Sequence, residues 1–237
     1  WTRDTPHFLL YWLALAVMYL AVLFSGGVFR RDSAGVSPRD LGWALVALAS
    51  VRVVMAFGEP MLSDDVYRSV WEGRVQRASG NPFAWGDRPE AEKWAGLRDG
   101  YVYPRINHPD YAAIYPPAWQ WAMRGVNALS DSVTAVKLFV VFCELLFWLG
   151  LWRLLQLRGL SLARILIAAA SPLAMVEIAG GGHNEAMGMA LIVWTLVLLE
   201  RKSRAGASVA LALAVLSKLI PAILAFPWLR RLRIRDF

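Results

Sequence analysis

The stretch VTAVKLFVVFCELLFWLGLW, residues 133–152, is 20 residues long and carries only two charges, Lys137 and Glu144. A helix of about 20 apolar residues matches the roughly 30 Å hydrocarbon thickness of a bilayer. Six more apolar runs flank it, at 8–29, 41–57, 164–179, 186–199, 205–217 and 219–229. The runs 8–29, 41–57, 133–152 and 164–179 are long enough, or nearly so, to span as tilted helices. The other three are shorter. Short helices persist in hydrocarbon only where protein or a water-filled cavity covers their ends, so they hint at a site. The expected fold is all-α: a polytopic transmembrane helix bundle forming one membrane domain over 1–237. Its N-terminal spans are 8–29 and 41–57, its long extracytoplasmic loop is 58–132, and 133–230 holds further spans and short broken helices.

Composition agrees. Of 237 residues, 57% are hydrophobic and 18% charged, with mean hydropathy +0.43. A soluble domain is usually about 45–50% apolar and about 25% charged. Disorder, a coiled coil and a disulfide scaffold are excluded, and the single Cys143 reads as packing. The 12 tryptophans suit membrane–water interfaces. A net charge of +7 would suggest nucleic acid in a soluble protein. Here the bases cluster beside apolar runs, as the positive-inside rule predicts, and no nucleic-acid partner is expected.

The clusters set an orientation. Arg30, Arg31 and Arg39, then Arg153, Arg158 and Arg164, then Arg201, Lys202 and Arg204, then Arg230, Arg231, Arg233 and Arg235 all fit on the cytoplasmic side. Residues 58–132, 180–185 and the turn near Lys218 then face outside. This threading places Trp1 outside and predicts at least one helix upstream, so the chain reads as an internal piece of a longer membrane protein. The run at 8–24 has neither a clear basic n-region nor a small-residue cleavage site, unlike a signal peptide.

The segment 58–132 interrupts the apolar pattern. Nine of the chain's 18 acids fall between 58 and 122, and loops this long are usually functional. Ser63 suits an N-cap, with Asp64 and Asp65 in the first turn. Val66, Val70, Trp71, Val75 and Ala78 form a helical stripe, while Arg68, Arg74 and Arg77 recur along the same segment. That pattern predicts an amphipathic helix on the membrane surface, ended by Gly80-Asn81-Pro82. A second helix is expected from Pro116-Pro117 to about Leu129.

Three groups could carry chemistry. Asp64 and Asp65 either complement a helix dipole or supply a general base or a cation site. Gly180-Gly181-Gly182-His183-Asn184-Glu185 is either a tight polar turn with Asn184 as a helix cap or a second part of the site. Arg52, Lys137, Glu144, Glu177 and Lys218 lie within or at the ends of apolar runs, where charge is costly. Snorkelling is expected for Arg52 and Lys137; Lys218, followed by Pro221 at a break between short helices, suits an anionic ligand. No Walker A loop, dinucleotide-binding glycine fingerprint, zinc pattern or nucleophile elbow is present.

Several blocks occur in order: Leu62-Ser-Asp-Asp-Val-Tyr-Arg-Ser-Val-Trp-Glu-Gly-Arg-Val-Gln, Gly80-Asn-Pro-Phe, Leu97-Arg-Asp, Ile106-Asn-His-Pro, Ile114-Tyr-Pro-Pro, Ser171-Pro-Leu, Gly182-His-Asn-Glu and Lys218-Leu-Ile-Pro. Together they resemble bacterial polyprenol-phosphate-mannose-dependent mannosyltransferases of the GT-C class (glycosyltransferase family 87 and the mycobacterial α-mannosyltransferases). The later blocks are also similar to GPI mannosyltransferase I. The resemblance covers most of 41–230 and implies a GT-C bundle. It further implies an inverting hexose transfer from a polyprenyl phosphate sugar to a lipid or glycan acceptor at the extracytoplasmic face of the plasma membrane. Asp64 or Asp65 takes the role of base; Arg68, Tyr115, His183, Asn184, Glu185 and Lys218 are the substrate-binding candidates. The sequence requires no cofactor, although Asp64, Asp65, His183 and Glu185 could hold a divalent cation. The chain departs from the family pattern at Ser69 and Glu72, where Tyr and Asp are usual, and at Glu185, where Asp is more frequent. The alternatives are a transporter or lipid-binding membrane protein, which would also use broken helices and intramembrane charge, or a transferase of another lipid-linked group.

Overall fold

The computed structural model describes residues 5–25, 36–60 and 62–224. The described residues are helical and contain no strand. The long helices are α1 (Thr5–Ser25), α2 (Pro38–Ala56), α3 (Asp65–Arg77), α4 (Pro117–Leu129) and α5 (Val133–Leu157). They continue as a bent pair, α6 (Leu162–Ala169) and α7 (Pro172–Gly180), then α8 (Glu185–Glu200) and α9 (Arg204–Ser217). Residues 225–229 of the last apolar run, the terminal Arg cluster, Arg30, Arg31 and Trp1 lie outside the described residues.

Two helices, over Pro6–Phe24 and Val133–Leu157, are long and apolar enough to cross a bilayer, and the pair α6–α7 makes a third if it counts as one span. The run at 164–179 is therefore broken. Its halves meet at 50°, because Pro172 removes a backbone donor and Ser171 caps the new helix by accepting from the N–H of Ala174. The other boundaries have similar local causes. Ser37 accepts from the N–H of Asp40, with Pro38 in the first turn of α2. Ser132 accepts from the N–H of Ala135 at the start of α5.

α8 and α9 have 16 and 14 residues, about 24 and 21 Å of helix, less than a bilayer core. They form an antiparallel hairpin beside α5. Small residues allow the close approach expected between membrane helices: Ala207, Ala210 and Ala214 are buried on α9, and a Cβ on Gly150 of α5 would stand 2.5 Å from Val193 of α8. The polar ends of the short helices, Asn184–Glu185 and Ser217–Lys218, meet each other.

Above this hairpin lies the layer made by residues 58–132. Its helix α3 forms where expected, yet it does not lie on a membrane surface. Every residue from Val66 to Gly73 is buried, as are Val75 and Gln76. Val66, Val70 and Trp71 pack against Trp119 and Met123 of α4, Val136 and Val140 of α5, and Ile178 of α7. The polar side of α3 is internal as well. Arg68 donates to Glu72 (2.9 Å), Gln120 donates to Glu72 (2.5 Å), and Gln76 donates to Gln120. The cap is also shifted by one residue: Asp64 holds the N-cap position, and the Ser63 hydroxyl accepts from the Asp65 N–H.

α3 and α4 cross at Gly73. A Cβ there would stand 2.8 Å from both the Cβ of Asn127 and the carbonyl oxygen of Met123. A backbone oxygen cannot rotate away, so Gly73→Ala forces the helices apart, at a cost of about 1–3 kcal/mol for overpacking. Thermal unfolding of the purified protein measures this; an unchanged midpoint would contradict the close crossing.

The snorkelling expected of Arg52 and Lys137 does not occur. Arg52 is 0% exposed and pairs with Glu144 at 2.8 Å, itself 1% exposed. Lys137 is equally buried and donates to the carbonyls of Met55 (2.9 Å) and Gly58 (2.5 Å). It thereby adds a donor to two carbonyls at and just beyond the C-terminal end of α2. Both cations find protein partners close by, so neither needs to reach the interface.

Candidate active site

The first turn of α3 presents Asp64 and Asp65, and the structure separates them. The Asp64 side chain is exposed and has no hydrogen-bond partner among the described residues. Asp65 is half-buried and held at both oxygens: Oδ1 accepts from the Asn107 amide at 2.6 Å, and Oδ2 accepts from the Tyr115 hydroxyl at 3.0 Å. A carboxylate has about four acceptor positions, so two lone pairs remain. Burial, the Asp65 charge and its hydrogen bond push the Tyr115 hydroxyl well above the usual phenol range. Tyr115 thus stays a donor to Asp65 at physiological pH.

Arg68 is not free to bind a phosphate. Besides Glu72, it donates to the carbonyls of Asn107 (3.2 Å), His108 (2.8 Å) and Tyr111 (2.5 Å). His108 has φ +47°, in the left-handed region, a conformation that costs about 1–3 kcal/mol and persists only when its surroundings fix it. Arg68 fixes it, and so sets the position of Asn107 against Asp65. Burial holds the Glu72 carboxyl above the usual carboxylate range, although Arg68 and Gln120 act to lower it.

The glycine turn docks on the same helix end. Gly182 has φ +77°, and a Cβ there would stand 3.0 Å from Val66 and 3.1 Å from Lys137. Only glycine meets both conditions without strain. The turn packs Gly182 against Val66, the residue after Asp65, and Glu185 lies near enough for its charge to act on Tyr115, which holds Asp65. Asn184 does not cap α8 with its side chain. Its amide donates to the Ser217 carbonyl (3.3 Å), and its Oδ1 accepts from Lys218 (3.4 Å). Lys218 also pairs with Glu185. The acid sits at the N-terminus of α8 and the lysine at the end of α9, where each complements a helix dipole. An ammonium has three donors, and these contacts use two.

His183 carries a further contact. Its Nδ1 lies 3.0 Å from Glu177, while its buried Nε2 has no partner. The ring faces a cavity of about 490 Å³ between α5, α6, α7 and α8. Phe147, Ile167, Leu173, Ile178 and Met189 give that cavity apolar walls, and Glu177, His183 and Glu185 line its polar end. Among the described residues, no group of three or more His, Cys, Asp or Glu side chains comes together to hold a metal. Asp64, Asp65, His183 and Glu185 do not converge on one point.

Of the predicted residues, Asp65, Tyr115, His183, Asn184, Glu185 and Lys218 gather at one end of the bundle, while Arg68 supports them from behind and Asp64 points away. Sequence reasoning gave no role to Asn107 or Gln120, and it flagged Glu177 only as a charge at the end of an apolar run. Asn107 had a signal, since it lies in the Ile106-Asn-His-Pro block.

Fold and site together define a helical protein with two or three helices long and apolar enough to cross a membrane and a polar site beside an apolar cavity. Residues 2–234 match the family described as alpha-(1->6)-mannopyranosyltransferase, N-terminal domain, and the chain belongs to that family. It is 30% identical over 200 residues to alpha-(1->6)-mannopyranosyltransferase A of Corynebacterium glutamicum, an alignment covering 80% of this chain and 38% of that relative. The chain thus spans well under half of the relative's length. No solved structure matches it. The family agrees with the mannosyltransferase resemblance drawn from the ordered blocks.

Proposed function

We propose that this chain forms the base-bearing and donor-binding part of a multi-pass membrane glycosyltransferase. It moves mannose from a polyprenyl phosphate to a lipid or glycan hydroxyl at the extracytoplasmic face, with inversion. The observation that carries this reading is Asp65, held by Asn107 and Tyr115, next to a turn whose histidine faces an apolar cavity. The family supplies mannose; the cavity walls suit the isoprenoid part of a lipid donor.

The positions support the following chemistry. Asp65 takes the proton from the acceptor hydroxyl as that oxygen bonds to the anomeric carbon. The bond from the anomeric carbon to the phosphate oxygen breaks on the opposite side, leaving polyprenyl phosphate. Its charge is met by the third donor of Lys218. Such preorganised donors act where leaving-group charge develops.

The test supplies the full-length protein, in membranes, with polyprenyl phosphate carrying radiolabelled mannose. Label is expected in a lipid or glycan product, with inverted configuration at the new linkage. Transfer from another polyprenyl phosphate sugar would correct the donor. No transfer from any such lipid, with net movement of the lipid across the bilayer, would favour the transporter reading.

A further inference from the structure

A second cavity, of about 510 Å³, opens in the extramembrane layer, away from the site above. Its walls come from the C-terminal half of α3 (Arg74, Arg77), the turn at 96–99 (Arg98, Asp99) and the α4–α5 junction (Asn127, Asp131). Arg74 and Arg77 follow Asp65 by nine and twelve residues on one helix, which places them about 13–18 Å along the axis from it. That exceeds the span of one sugar ring.

The lining is hydrogen-bonding in both senses. Arg74 is braced by Asp99 (2.6 Å) and Asp131 (2.8 Å), and Arg77 donates to Asn127 at 3.1 Å. Arg98 is fixed by the carbonyls of Glu90 and Ala91 and by the face of Tyr103. Burial raises the Asp99 carboxyl, but Arg74 and three backbone N–H groups outweigh it and hold the group below the usual carboxylate range. Even so, Arg74 Nη1 and Arg98 Nε are buried with no hydrogen-bond partner. These two atoms lie behind the lining, so what the cavity offers an occupant is the mixed set of guanidinium, carboxylate and amide groups that face it. Three guanidinium groups beside two carboxylates and an amide disfavour a simple anion, which the carboxylates would repel. They suit a ligand whose groups both donate and accept, as sugar hydroxyls do.

We propose that this cavity binds a saccharide unit of the acceptor several residues back from the hydroxyl that receives mannose. The cavity makes the protein prefer long glycan acceptors to short ones. The identity of the sugar rests on the function proposed above; the binding does not require transfer to occur.

Gly96 offers a clean test. It lines the cavity, and a Cβ there meets nothing within 4 Å, so Gly96→Trp fills the space without removing a hydrogen bond. Gly86 is equally open but does not line the cavity, so Gly86→Trp is the control. Binding of α-(1→6)-linked manno-oligosaccharides of increasing length to the full-length protein is measured by calorimetry. In parallel, mannose transfer to a short and a long acceptor is followed. Wild type and Gly86→Trp are expected to bind tighter as length grows. Gly96→Trp should lose about tenfold for long chains, the equivalent of one or two hydrogen bonds, with short acceptors unaffected. Length-independent binding in wild type, or equal loss in both tryptophan variants, overturns the proposal. Normal transfer with length-independent binding rejects the cavity alone. Absent transfer with length-dependent binding that Gly96→Trp removes rejects the transferase and keeps the cavity.

Discussion

Asp65→Asn is expected to lower mannose transfer by about 10²–10⁴-fold, the range that general base catalysis contributes. Asp64→Asn should change it by less than about tenfold, because that side chain is exposed and reaches no partner. The amide keeps the shape of Asp65 and can still accept from Tyr115 or Asn107, so the fold should survive. Only the ability to take a proton is removed. Transfer rates at saturating donor, compared in the same membranes, measure the contrast. A large loss in Asp64→Asn with a small one in Asp65→Asn would exchange the roles.

Arg52→Met should destabilise the protein by about 3–5 kcal/mol, because it leaves Glu144 charged, buried and alone. The Arg52–Glu144 contact at 2.8 Å is close but poorly aligned as a hydrogen bond. Arg52 is also stacked on Trp148, 4.6 Å from the ring centre, and donates to the Leu48 carbonyl. Replacing both partners, as Arg52→Met with Glu144→Leu, should recover most of the loss, since a buried pair traded for apolar residues is often neutral. Thermal unfolding in a single detergent reads the series. A double variant as unstable as the single one would show that Arg52 acts through Trp148 and Leu48 rather than through Glu144.

The long apolar helices over Pro6–Phe24 and Val133–Leu157 were legible because a run such as 133–152 leaves few alternatives; the expected span 41–57 forms α2, which is not among the helices long and apolar enough to cross a bilayer, and 164–179 is broken. The bounds of α4 were legible because Pro116-Pro117 fixes its start. The setting of α3 was not. A stripe such as Val66, Val70 and Trp71 looks the same whether it faces lipid or protein. Arg68 read as a substrate-binding candidate because the carbonyls that occupy it, those of Asn107, His108 and Tyr111, lie far along the chain. Arg52 and Glu144 were each visible as intramembrane charges, but nothing local shows that two helices bring them together. The same holds for the adjacent acids. Local sequence treats Asp64 and Asp65 alike, and only Asn107 and Tyr115, more than 40 residues on, distinguish them. The glycine turn was legible as a turn; its docking on Val66 and Lys137 was not.

The most direct test of the central claim measures donor binding and turnover on the same Asp65→Asn sample. Equilibrium binding of labelled polyprenyl phosphate mannose is set beside single-turnover transfer. The structure predicts binding close to wild type, because the cavity, His183 and Lys218 are untouched, with transfer slowed by about 10²–10⁴-fold. Transfer at the wild-type rate with the donor bound would contradict the assignment of Asp65 as the base.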